Sequence, residues 1–429
     1  MNAVRIIYST AYALGILGAL PYFAFKGMQH GKYIGTARKR LYPLPLSELA
    51  GESPRIWIQA VSVGEVMIAR TMGKSLIESG LRGSLFLSVT TKTGTSLAMS
   101  NPGPFKEVLP FPLDFNFSVR RAFNVINPDL LLLTEAELWP NLLFEAGERG
   151  IPIILYNGRI TSRSHRGYRK VQWLYRPALK AVRHFCVREE QDRQRYLDLG
   201  VPETDVTVTG NIKYDIPEPR IEREEIRSLF GLNGKERLIL AGSTMKGEEG
   251  IILEAFANLK KEFPDLRLLI APRHPERCEE VKKILGQHGY ACARRSRLPQ
   301  SGINGSPVLL LDTIGELASF YAIADVAFIG GSLLPEYGGH SPLEPAAVGV
   351  PVVYGPHMSN FADISLKLEK KGAAIRLEDQ DEIRSTIAEL LNHRERGIRM
   401  GQKGLEVCAE NRGAAKQTAS IVRRYAKSQ

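Results

Sequence analysis

The stretch IWIQAVSVGEVMIAR, Ile56–Arg70, decides the fold. It opens as a largely apolar run with strand character, breaks at small residues, and continues with apolar positions at helical spacing. A strand with almost no polar alternation suits a sheet covered on both faces. Glu65 stands at the corner, where the helical pattern begins.

Outward from this stretch the same alternation repeats. RIWIQA, SLFLSVT, DLLLLT, IPIILYN and VRHFCV read as short buried strands, separated by longer amphipathic segments such as EVMIARTMGKSLIESG. The rhythm pauses at VTGNIKYDIPEPRIEREEI, where two prolines and a charge run suggest an interdomain linker. RLILAGS, LRLLIAP, PVLLLD, DVAFIGG and VPVVYG then form a second series. The expectation is an α/β chain with two Rossmann-like domains in tandem and helices from about Asp381 onwards. Its domains are 31–212 and 213–410, with a C-terminal helix over 411–429 packing back on the first domain. A length of 429 residues, 44% of them apolar, can bury two cores.

In open α/β sheets ligands sit beyond the carboxyl ends of the strands. Glu65 occupies such a place, and the first turn of a helix stabilises a carboxylate by roughly 0.3 to 1 kcal/mol, which keeps it ionised and able to accept a proton. A solvated helix start accounts for the same residue equally well. LLLLTEAELWPN offers a second acid, Glu135, directly past an apolar strand, with Glu137 two residues on and Pro140 suited to a helix start. There too a plain helix start beside a core Trp139 is the alternative.

In the second series, LILAGSTMKGEEG puts Gly242, Ser243 and Thr244 in a turn between strand and helix, where exposed amides can cradle phosphate. It is neither a Walker loop nor a dinucleotide fingerprint. LLIAPRHPERCEE ends a strand with Arg273 and His274, a cation pair suited to phosphate or carboxylate. FIGGSLLPEYGGHSPLEPAAVGVPVVYGP concentrates the most chemistry. Its paired glycines Gly330 and Gly331 let backbone approach a ligand, and Gly339 and His340 lead into a helix with Glu344 at its mouth, placed to accept the hydroxyls of a ribose. A glycine-rich turn needed only for packing is the competing account.

The net charge of +11 favours anionic partners: nucleic acid, acidic lipid or phosphorylated substrates. The four cysteines show neither a CxxC pairing nor a histidine at ligand spacing, so buried free thiols are expected. Residues Ile6–Phe25 carry no charge and approach the roughly 20 residues that cross a bilayer. Arg5 precedes them and Lys26, Lys32, Arg38, Lys39 and Arg40 follow, so residues 1–30 are expected to anchor the chain with its bulk on the cytoplasmic face.

Together these stretches resemble the Kdo transferases, which move 3-deoxy-D-manno-octulosonic acid (Kdo) from CMP-Kdo to a lipid A precursor. The resemblance rests on SVGE ending at Glu65, LPFPLD ending at Asp114, TEAELWPN from Thr134, NGRITSRS from Asn157, GNIKYD ending at Asp215, APRH ending at His274 and GGHSPLEPAAVGVPVVYGP from Gly338. These run in order across nearly the whole chain. They imply a GT-B glycosyltransferase fold, two Rossmann-like domains facing a cleft, with an N-terminal membrane-anchor helix. They further imply an acceptor held by the first domain and CMP-Kdo held mainly by the second. Two positions depart: Ser341 stands where the family reads Asn, and Gly158 where it reads Ala. A hydroxyl cannot reproduce both functions of an amide, whereas Gly158 is expected to change only backbone freedom.

The resemblance implies an inverting transferase of lipopolysaccharide core biosynthesis at the inner membrane. Glu65 would be its general base and Glu135 a supporting acid at the acceptor. Gly242, Ser243, Arg273, His274, Gly330, Gly331, Gly339, His340 and Glu344 would hold the donor. No cofactor is expected, and no metal, since the one DxD-like string of the second half, EDQDE, reads as a solvated turn. The basic run from Arg159 to His184 suits either nucleic acid or a phosphorylated lipid at an anionic membrane. The anchor favours the membrane, with no nucleic acid. Another GT-B nucleotide-sugar enzyme and a non-catalytic tethered binding protein are the rival readings.

Overall fold

The structure, a computed structural model, describes residues 3–30, 40–41, 49–216, 223–230, 232, 236–298 and 305–426. Of the linker expected over residues 208–226, residues 217–222 lie outside the described residues. The chain divides into two compact units, Met1–Asp215 with Asn411–Gln429, and Ile216–Glu410.

In the first unit seven parallel strands run β3-β2-β1-β4-β5-β6-β7. They are β1 (Arg55–Ala60), β2 (Ser84–Val89), β3 (Glu107–Pro110), β4 (Leu130–Thr134), β5 (Ile153–Gly158), β6 (Val182–Val187) and β7 (Val206–Val208). Every residue of β1, β2, β4 and β5 is buried. Alternate side chains feed two cores. Trp57, Leu131, Leu133 and Phe185 face one side, and Ile56, Ile58, Leu130, Leu132 and Ile154 face the other. This explains why these strands read as unbroken apolar runs.

The second unit repeats the plan with β10-β11-β9-β8-β12-β13-β14. Its strands are β8 (Leu238–Thr244), β9 (Arg267–Pro272), β10 (Cys292–Arg294), β11 (Val308–Leu310), β12 (Val326–Ile329), β13 (Val352–Tyr354) and β14 (Ala374–Arg376), again all parallel. In each sheet the first strand of the series, β1 or β8, lies centrally, and the order reverses beside it, between β1 and β4 and between β8 and β12. These reversals are where an open α/β sheet leaves a crevice.

The expected spanning anchor needs correction. Ala3–His30 is one helix of 28 residues, but no helix among the described residues is long and apolar enough to cross a membrane. Absence of charge is not the same as hydrophobicity: Tyr8, Ser9, Thr10 and Tyr12 interrupt the run. Positions 5, 8, 9 and 12 share one helical face, and that face is polar and docked. Arg5 is 2% exposed and donates to Glu148 Oε2 (2.6 Å), Asn116 Oδ1 (2.7 Å) and Glu145 Oε2 (2.8 Å). The Tyr8 hydroxyl donates to Asp114 Oδ2 at 2.8 Å, and Ser9 Oγ to Asn141 Oδ1 at 3.1 Å.

At the other terminus the helix Ala414–Ala426 belongs to the first unit. The Asp215 carboxylate accepts the amides of Gly413 (2.5 Å) and Ala415 (2.6 Å) at its start, where a negative charge is favourable. Ala415, Ala419, Ile421 and Val422 then complete the core that contains Ile56 and Ile58.

Candidate active site

The reversal of the first sheet carries both predicted acids. Ser62 caps the helix Val63–Glu78, its Oγ accepting the Glu65 amide at 3.4 Å. The Glu65 side chain folds back, taking the Val61 N–H on Oε2 at 2.8 Å and the Ser62 hydroxyl on Oε1 at 3.2 Å. This reciprocal arrangement pins the carboxyl rather than leaving it to solvent, and Glu65 is 8% exposed. Its charge state differs from expectation. Burial pushes the carboxyl up to about 7, assisted by the neighbouring charges of Glu135 and Glu137, although the Val61 and Ser62 hydrogen bonds oppose the rise. Loss of water outweighs the helix-end field.

Across the reversal, Glu135 follows β4 with a left-handed backbone, φ 60°, a conformation costly for a residue with a side chain. Its carboxylate is ion-paired with Arg188, a buried side chain at the carboxyl end of β6. The same guanidinium donates through Nε to the Asn157 carbonyl at 3.2 Å. Asn157 is itself left-handed, φ 53°, and its Oδ1 accepts the Ile212 amide at 2.9 Å. Tyr156, fully buried, accepts the Thr134 hydroxyl at 2.9 Å, and its own hydroxyl is held un-ionised by burial and by the charges of Glu65 and Glu135. Glu137 takes the Trp139 indole N–H at 2.7 Å. Arg188 escaped the sequence reading although it sits one residue past a strand, the same signal that singled out Glu135. Gly158 proves to be about room: a Cβ there would meet Leu155 Cδ2 at 2.6 Å.

The donor residues predicted in the second unit also gather at its reversal, but the glycines act differently from expectation. Gly242, Ser243 and Thr244 are not a turn; they are the bulged end of β8, with Ser243 left-handed at φ 57°. A Cβ on Gly242 would overlap the Tyr321 hydroxyl, and one on Gly330 would overlap the Ser243 carbonyl. The loop amides are already committed. Gly330 N–H bonds the Gly242 carbonyl (2.8 Å), Gly339 N–H the Gly331 carbonyl (2.7 Å) and His340 N–H the Gly330 carbonyl (3.2 Å). Glu248, 0% exposed, accepts from Met245 (2.8 Å), Gly331 (2.7 Å), Ser332 (3.0 Å) and Leu333 (3.0 Å). So the paired glycines, expected to let backbone approach a ligand, permit close packing of backbone on backbone, and the amides of Gly330, Gly331 and Gly339 bond within the protein. In KGEEG nothing sets Glu248 apart from an ordinary helix-start acid.

Side chains supply the polarity of this end. Arg273 and His274 follow β9 and are exposed. Burial, with Arg273 and His274 nearby, pushes His340 down to about 4, so its ring is neutral at physiological pH, and its Nε2 is buried without a hydrogen-bond partner. Burial pushes Glu344 upward while Arg273 opposes it. Ser341 Oγ accepts the Leu343 amide at 3.4 Å, at the start of the short helix Leu343–Ala346. Among the described residues no group of three or more His, Cys, Asp or Glu side chains is placed to hold a metal.

Residues 35–216 match the family model described as 3-deoxy-D-manno-octulosonic-acid transferase (kdotransferase). A 3-deoxy-D-manno-octulosonic acid transferase of Haemophilus influenzae is 35% identical over 374 residues, which is 86% of this chain and 87% of that protein. The chain belongs to the Kdo transferase family. Residues 222–407 match glycosyl transferases group 1. A glycosyltransferase from Rickettsia africae has a TM-score of 0.55 at 13% identity, covering 87% of this Kdo transferase chain and 99% of its own. A UDP-GlcNAc 2-epimerase from Neisseria meningitidis scores 0.54 at 12% identity, covering 86% and 98%. At such identities the likeness shows the fold, and with two parallel-sheet α/β units that fold is GT-B.

Proposed function

We propose that the chain transfers Kdo from CMP-Kdo to a lipid A precursor, lipid IVA, with inversion at the anomeric carbon. Family membership supports the sugar, and the observation that carries the mechanism is Glu65. A buried carboxyl with a pKa of about 7 is matched to proton transfer near neutral pH. An acceptor hydroxyl oxygen attacks the anomeric carbon, its proton passes to Glu65, and the bond to the phosphate oxygen breaks with its electron pair leaving on CMP. Glu135, held by Arg188, binds the acceptor sugar.

In the second unit Arg273 and His274 meet the phosphate, His340 Nε2 supplies a neutral hydrogen-bonding atom, and Glu344 receives ribose hydroxyls. These cations carry the leaving group's charge without a metal. The exposed, uncharged side of the N-terminal helix, with Ile6, Ile7, Leu14 and Leu17 between 47% and 63% exposed, and the wholly unburied basic helix Ser162–Lys170 suit an anionic membrane surface in preference to nucleic acid. The docked Arg5 face fits a helix lying along the cytoplasmic side of the inner membrane. The deciding experiment incubates purified protein with CMP-Kdo and a tetraacylated, bisphosphorylated disaccharide lipid. Mass spectrometry should show the acceptor gaining Kdo with release of CMP; intact acceptor and donor would reject the assignment.

A further inference from the structure

The second unit contains a cavity of about 240 Å3 at the amino ends of its strands, whereas the donor residues stand at the carboxyl ends. Arg237, Asp325 and Pro351, each immediately before β8, β12 or β13, form one side. The first turn of the helix Arg394–Asn411 forms another. Three guanidinium-bearing residues line it, Arg223, Arg237 and Arg394, against one carboxylate, Asp325.

The charges are not equally engaged. Asp325 Oδ2 accepts the Leu238 amide at 2.8 Å. Arg237 lies 3.6 Å from Asp265 and over the Phe263 ring at 4.8 Å. Arg223 and Arg394 have no ion pair or hydrogen bond among the described residues and are exposed. The floor is apolar, made by Ala324, Val350, Leu390 and Leu391. The walls are close-packed: a Cβ on Gly401 would overlap the Gly349 carbonyl, and one on Gly397 would touch Pro351 Cγ at 3.5 Å. The close-packed walls and apolar floor are preformed, while Arg223 and Arg394 are free to turn towards an anion.

We infer that this cavity is a second anion site, distinct from the donor site, for a phosphate monoester or diphosphate whose organic part is small and apolar. Paired guanidinium forks match phosphate oxygens in both geometry and charge. The volume, below the range usual for drug-sized ligands, sets the size.

The test is calorimetric titration of the full chain with pyrophosphate in the presence of saturating CMP, with sodium chloride at matched ionic strength as the control. Hexyl phosphate against inorganic phosphate separates an amphiphilic ligand from a free anion. Pyrophosphate is expected to bind wild type, and the double variant Arg223→Ala/Arg394→Ala, which breaks no hydrogen bond or ion pair among the described residues, is expected to bind it at least about tenfold more weakly for the loss of charge-assisted hydrogen bonds. CMP affinity and thermal unfolding should be unchanged in that variant. Equal pyrophosphate affinity in the two proteins, or heat no greater than that of sodium chloride, would overturn the site. Equal affinity for hexyl and inorganic phosphate would overturn its apolar part.

Discussion

Arg188 and Glu135 form an ion pair that joins the carboxyl ends of two strands, β6 and β4. Arg188 is the more buried partner, with 6% of its side chain exposed against 26% for Glu135. The arginine also holds the Asn157 carbonyl, so two left-handed residues depend on one side chain. Arg188→Ala is expected to lower kcat/KM for Kdo transfer by about a hundredfold, the scale of a misplaced binding group. Donor affinity, measured by CMP titration, should stay within twofold of wild type by the same argument, because Arg188 belongs to the first unit. Arg188→Lys, which keeps the charge but loses the second contact, should recover part of the rate.

Glu65 sets a pH dependence. Its folded pKa is raised from 4.5 to about 7, so the base is protonated and idle below that value and ionised above it. Rate should climb as pH passes from 6 to 8 and then level, and the single-turnover profile checks it. Stability moves the other way, because a carboxyl that holds its proton more tightly when folded stabilises the fold at low pH and loses that advantage as pH rises through about 7. Ionised, the buried carboxyl costs roughly 3 kcal/mol. Glu65→Gln should therefore abolish transfer while raising the melting temperature at pH 8 and leaving it little changed at pH 5.

How far the sequence foretold this arrangement depends on burial. All ten strands recognised from apolar runs are present, and the four that escaped, β3, β7, β10 and β14, are the edges of the two sheets. They are about as short as β11 and β13 but, unlike those, only partly buried, so they show no apolar run. The placement of Glu65, Glu135, Arg273 and Gly330 beyond the carboxyl ends of strands was legible from the apolar runs before them. Arg188 was visible by the same rule, but Glu248 was not. A helix-start glutamate that faces solvent and one that gathers four amides have the same neighbours in sequence. The docked face of the N-terminal helix was hidden for a related reason, since Arg5 looked like a flank until Glu145 and Glu148 supplied its partners.

Arg5→Ala should destabilise the first unit by about 3 kcal/mol, because Glu145 would lose a buried partner. Arg149, 2.9 Å from Glu145, softens the loss. Thermal unfolding reads the change, and a shift under one degree would show that the N-terminal helix contributes nothing to the fold.

Glu248→Gln keeps the shape but replaces an acceptor oxygen by an NH2 group facing backbone donors. With four amides committed to this carboxylate, the variant is expected to lose about 2 to 3 kcal/mol of stability. CMP binding should weaken with it, as the loop carrying Gly330 and His340 relaxes. Calorimetry with CMP below the melting point checks both.

Metal removal should change nothing. Dialysis against EDTA is expected to leave Kdo transfer within twofold of its starting rate, since cations of the chain are proposed to receive the leaving phosphate; a loss restored by magnesium would remove that proposal.

The capping of Ala414–Ala426 by Asp215 has a consequence for biosynthesis. The first unit reaches its full core only with Ala415, Ala419, Ile421 and Val422, which are translated after the second unit. During translation the sheet around Ile56 and Ile58 therefore waits, one flank bare, through the synthesis of the whole second unit. A nonsense codon that removed Ala414–Ala426 would injure the unit translated before the second one.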